Sequence, residues 1–165
     1  MKSGTRWLYE NVAVGILVAI CFPSAHALCV YKGKMYAKTT IQQEFADSVW
    51  VVRARLVAAD NHWSDEGDSW SMYHLQVVTA FKGGPPSRIA MFTLRDSCGF
   101  YLEKGEAADV GGEYLLFLNP IDPKATVPAA ARGSVEVNYS CGQSESWNSL
   151  SNAKRQRLLD LSHEK

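Results

Sequence analysis

The sequence predicts a mainly β fold: a five-stranded Greek-key barrel of the oligonucleotide/oligosaccharide-binding type with a C-terminal α-helix. Three observations predict it. Apolar and polar residues alternate at a period of two in several stretches between positions 49 and 94. Clusters of Gly, Pro, Asp and Ser separate those stretches. Good helix formers gather only behind Ser151, after the last strand-like stretch.

An export signal is expected ahead of the barrel. Lys2 and Arg6 precede the apolar run from Val12 to Phe22, and Pro23 and Ala25-His26-Ala27 follow it. A bilayer-spanning helix needs roughly twenty apolar residues, so this run is too short to serve as one. A charged start, a short apolar middle and a small-x-small exit describe a secretory signal peptide over residues 1–27. Cleavage after Ala27 starts the mature chain at Leu28, and the single domain spans 28–165. The bulky Leu28 before Cys29 excludes a lipoprotein site. The expected location is therefore outside the cytoplasm, extracellular or periplasmic, with no membrane attachment after cleavage.

Each element has its own justification. In the stretch from Val49 to Val57, Trp50, Val52, Ala54 and Leu56 share one face, and Arg53 and Arg55 the other. The polar run from Asp60 to Ser69 is a hairpin-like excursion. Tyr73, Leu75, Val77, Thr79 and Phe81 form one face of the next strand, which ends at Lys82-Gly83-Gly84-Pro85-Pro86. Ile89 to Leu94 is a third strand, Asp96-Ser97-Cys98-Gly99 a turn, and 103–112 a loop. Glu113 to Leu118 lacks alternation and suits a strand buried on both faces. Three prolines (Pro120, Pro123 and Pro128) keep the chain irregular until a last strand over 134–139. Ser151 N-caps the helix, with Ala153, Leu158 and Leu161 on one stripe.

Composition narrows the function. The 165 residues carry 47% apolar side chains, enough for a core, and 17 basic against 17 acidic residues. A neutral chain has no field with which to hold phosphates, so nucleic acid is not an expected partner. There is no Gly-rich phosphate loop, HExxH, GxSxG or Cys-x-x-Cys, so no catalytic residues and no cofactor are expected. His62 and His74, with Asp60, Asp65, Glu66 and Asp68, match no metal signature and read as a solvated hairpin. Trp63, Trp70 and Tyr73 read as rim packing rather than a sugar platform. Asn138-Tyr139-Ser140 is a glycosylation sequon. Three cysteines remain after signal removal: Cys29, Cys98 and Cys141. An oxidising compartment predicts one bridge and one leftover thiol, and spacing leaves all three pairings open.

Several pieces resemble one family in the same order. Val51 to Val57 resembles the first barrel strand of the tissue inhibitors of metalloproteinases. Thr79-Ala80-Phe81-Lys82-Gly83 is similar to the end of their second strand, Ser97-Cys98-Gly99-Phe100 to their Cys-Gly turn, and Glu113-Tyr114-Leu115-Leu116 to the strand after it. Cys141, then Ser146-Trp147-Asn148-Ser149-Leu150-Ser151 and Lys154-Arg155, resembles the end of their N-terminal, netrin-like domain. The resemblance runs from Cys29 to Leu161.

It implies a netrin-like barrel whose partner is another protein, a zinc metalloprotease in that family. Family members inhibit through an N-terminal Cys, whose α-amine and carbonyl oxygen occupy the open position of the protease zinc. Leu28-Cys29-Val30 departs from that pattern, with one cysteine where the family has two. The register implies a Cys29–Cys141 bridge, with Cys98 as the alternative partner of Cys29. The resemblance also places a protease-contact edge at Leu28, Cys29, Val30, Asp96, Ser97 and Cys98, and any contact to a protease zinc falls to Leu28 or Cys29. Two functions follow: inhibition of zinc metalloendopeptidases, or a non-inhibitory interaction module on the same barrel.

Overall fold

A computed structural model of the chain describes residues 29–164, so the expected signal peptide and Leu28 lie outside the described residues. The chain enters through a small hairpin, β1 (Val30–Tyr31) and β2 (Lys34–Met35), then α1 (Ile41–Asp47). Three long strands follow: β3 (Trp50–His62), β4 (Trp70–Lys82) and β5 (Arg88–Leu94). A minor hairpin, β6 (Glu103–Lys104) with β7 (Ala107–Ala108), leads into β8 (Glu113–Pro120). After β9 (Val135–Val137) and β10 (Glu145–Ser146), the described chain ends in α2 (Asn152–His163).

The barrel is closed and mixed. Its strands run β8-β3-β4-β5-β9, and β9 pairs back onto β8. Every pairing is antiparallel except β5 with β9, which meet in parallel at Met91 and Val135. This is the five-stranded Greek-key barrel with a C-terminal helix that the sequence predicts.

Alternation decides which side chains fill it. Val52, Ala54 and Leu56 of β3, with Tyr73, Leu75, Met91, Tyr114, Leu116 and Leu118, form the interior cluster. The odd positions of β8, Leu115 and Phe117, join Val51 in a second cluster outside the barrel. Ile41 and Phe45 of α1 and Leu158 of α2 cover that cluster. The unbroken apolar run of β8 is thereby explained: one face fills the barrel and the other seats both helices. A third cluster, Met72, Phe92, Ile121 and Ala131, lies beneath the 121–134 loop.

Several features differ from the sequence reading, among them the β6–β7 hairpin within the stretch 103–112 read as a loop and Pro120, which ends β8. In the β3–β4 ladder Val57, Val78 and Phe81 have no opposite residue, so the register slips three times. Each slip bends the strand and breaks the period of two. Thr79 is exposed and Phe81 packs in the outer cluster, leaving Tyr73, Leu75 and Val77 to face inward. Strand β3 continues to His62, into the run read as a polar excursion. On α2, Ser151 accepts the Lys154 N–H as expected, and Leu158 and Leu161 are buried, but Ala153 is exposed. Among the described residues no helix is long and apolar enough to cross a membrane.

Candidate protein-docking edge

Cys29 and Cys141 form a disulfide, with Cα atoms 6.0 Å apart across 112 residues of chain. The expected register is the one found. Cys29 is 3% exposed, so the bridge fixes the start of the described chain to the loop after β9. From there the chain turns outward. The Cys29 carbonyl accepts a hydrogen bond from the Tyr36 N–H (2.7 Å), which closes the β1–β2 hairpin, and Val30 pairs with Met35. Lys32 (φ 48°) and Gly33 (φ 79°) make its turn, the left-handed pair that a two-residue hairpin of this twist requires. Val30, Met35 and Tyr36 are each half or more exposed.

Helix α1 holds this hairpin from behind. Thr40 and Gln43 form a reciprocal capping box, with Gln43 N–H to Thr40 Oγ1 at 3.2 Å and Thr40 N–H to Gln43 Oε1 at 2.9 Å. At the far end of α1, Asp47 accepts the Tyr31 hydroxyl and pairs with Lys32 at 2.6 Å. Lys32, then Tyr31, holds the Asp47 carboxyl below the usual carboxylate range. Burial, reinforced by Asp47, pushes the Tyr31 phenol up to about 12. The Tyr31 ring also packs on Tyr139, centroids 5.1 Å apart.

The second expected segment lies next to the first. Cys29, Val30 and Cys98 line one depression of about 320 Å³ with Glu136, Val137, Asn138, Tyr139 and Ser140. Asp96 and Cys98 line an adjoining one of about 190 Å³, which shares Glu136, Val137 and Ser140. Asp96 shapes the turn by accepting the Cys98 N–H on Oδ1 (2.8 Å). Cys98 keeps its thiol, and Ser97 Oγ lies 3.8 Å from it. Gly99 cannot be replaced easily, since a Cβ there would sit 2.2 Å from the Leu94 carbonyl oxygen. Of the six expected edge residues, Cys29, Val30 and Cys98 line the first depression and Asp96 and Cys98 the second, Ser97 lines neither, and Leu28 lies outside the described residues.

The other candidates separate. Tyr73 is fully buried inside the barrel, while Trp63 is 67% exposed and stacks under the Arg95 guanidinium (4.3 Å), so these rings share no face. Trp70 packs on His62 and Phe92. His74 pairs with Asp60 at 2.7 Å. Among the described residues no group of three His, Cys, Asp or Glu side chains is placed to hold a metal.

Sequence reasoning passed over the hairpin residues Tyr31, Met35 and Tyr36 and the whole of α1. Two signals for them were present: Lys32-Gly33 between short apolar flanks, and Thr40-x-x-Gln43 ahead of Phe45. No protein-family model matches this chain, and no curated protein matches it at a significant level.

Proposed function

We propose that this protein is an exported, inhibitor-like barrel that binds another protein through the edge of Cys29, Val30 and the Asp96-Ser97-Cys98 turn. A zinc metalloendopeptidase is the partner class that the resemblance names. One observation carries the reading: the Cys29–Cys141 bridge holds Val30 against the same depression that Cys98 lines. A buried disulfide also suits an oxidising, extracytoplasmic location.

A second observation favours docking over zinc chelation. Chelation in the family manner needs a free amine and carbonyl oxygen about 2 Å from the metal, with the next side chain in the specificity pocket. In protein starting at Leu28 that next side chain is Cys29, which is buried and bridged. In protein starting at Cys29 the chelating carbonyl already accepts the Tyr36 N–H. Inhibition by the Leu28 form is therefore expected to be weak or absent, with some gain when Cys29 is exposed. A panel of zinc metalloproteases assayed with both forms tests this. Tight stoichiometric inhibition by the Leu28 form would contradict the docking mode, and identical behaviour of the two forms would remove the amine from the account.

A further inference from the structure

We propose that Glu44 is a pH-responsive latch: as a neutral acid it holds α1 against the turn that follows Cys141, and its ionisation loosens that turn. Glu44 is fully buried in the first turn of α1. Its Oε1 accepts the Thr39 hydroxyl (2.5 Å) and the Gln143 N–H (2.9 Å), the latter across 99 residues of chain. Its Oε2 is equally buried and has no hydrogen-bond partner among the described residues. Gly142 admits the carboxyl, for a Cβ there would lie 2.1 Å from Oε1 and 2.7 Å from Oε2. Two further bonds staple the turn: Gln143 Nε2 to the Thr39 carbonyl and Lys154 Nζ to the Gln143 carbonyl, both 2.8 Å.

The chemistry of the two states differs at Oε2. A proton there leaves both bonds to Oε1 intact and removes the buried charge. Without it, a full carboxylate occupies a buried site in which one oxygen has no donor among the described residues. The charged groups that face Glu44 do not neutralise it. Asp47, from α1 itself, repels the charge and is already engaged by Tyr31 and Lys32 of the hairpin. Lys154, from α2, attracts it, but its ammonium is held by Glu145 of β10 and the Gln143 carbonyl. Desolvation outweighs the bonds from Thr39 and Gln143 and the pull of Lys154, and pushes the carboxyl above its ordinary value.

The sign follows. A group whose folded pKa is raised adds stability that is fully present below its unfolded value and is lost as pH rises through the folded one. Rising pH therefore slackens the turn beside Cys141, and the disulfide passes the slack to Cys29 and Val30. That consequence for docking rests on the edge being the binding surface; the latch itself does not.

Glu44→Gln is a neutral isostere of the protonated acid. The full mature chain and this variant are melted from about pH 3.5 to about pH 8, starting below the ordinary carboxylate value so that any raised midpoint is crossed. The melting temperature of the wild type should fall relative to E44Q by about 2–4 °C over that range. Hydrogen exchange at the Gln143 amide, corrected for its intrinsic rate, should lose about tenfold in protection in the wild type alone. A constant gap between the two proteins overturns the latch. Should E44Q fail to fold, the Glu44 carboxyl ¹³C shift of the wild type decides. A midpoint above about 4.3 supports the latch and one at or below it overturns it. Neither readout uses a partner, so a failed docking assay leaves the latch standing.

Discussion

Asn138 opens an Asn-Tyr-Ser sequon, yet its Nδ2 is buried and its Oδ1 accepts a hydrogen bond from Asn119 (2.9 Å). A glycan is attached at Nδ2, which here is out of contact with solvent. Protein that leaves a eukaryotic secretory pathway folded should carry no glycan at this site, and treatment with an N-glycosidase should leave its intact mass unchanged. Glu113 is a contrasting carboxylate. Both its oxygens are taken, by Arg55 and Arg53 at 2.6 Å each, and these guanidiniums, Arg55 first, hold it below its usual range. Its contribution is thus present above the unfolded value and lost as pH falls through the folded one, opposite in sign to Glu44. The two arginines are a third to a half exposed, so Glu113→Gln should cost only about 1 kcal/mol near neutral pH. Thermal melts should show that difference vanishing in acid; an undiminished cost at low pH would mean that ion pairing is not its source. The sequence displayed neither environment, because a motif or a charge says nothing of what packs on it from 19 or 60 residues away.

At the scale of elements, the strands were the most legible. Periodicity placed Val52, Ala54 and Leu56 inward and gave β8 two buried faces, and both placements follow from side-chain alternation alone. The β3–β4 register slips were not legible, since a bulge is a property of the pair and leaves no mark in either strand. Helix α1 escaped notice because seven residues offer too little periodicity to stand out. Its capping box was the available signal. Thr40→Ala removes one side of that box and should cost about 1 kcal/mol in a urea melt. The same change should raise hydrogen exchange across α1 and the Gln143 amide, because this short helix carries Glu44 to its partner. Exchange confined to residue 40 and its neighbours would show that the helix does not depend on its cap.

For the whole molecule, one covalent link orders the candidate site. The bridge spans 112 residues, and a loop of that length is worth roughly 4–5 kcal/mol in the chain-entropy model. It joins the hairpin to the loop between the barrel and α2, while Tyr31, Lys32 and Asp47 tie the same hairpin to α1. Barrel, helices and edge are thus one connected frame rather than a barrel with a loose N-terminal tail. The resemblance implied this bridge where spacing left three pairings open, because its register sets Cys29 opposite Cys141. Non-reducing peptide mapping of secreted protein tests the account most directly, since it reports both the first residue and the sulfur pairing. The prediction is an N-terminal peptide that starts at Leu28, linked through Cys29 to the peptide containing Cys141, with Cys98 open to alkylation. A Cys29–Cys98 or Cys98–Cys141 linkage, or retention of residues 1–27, would contradict it.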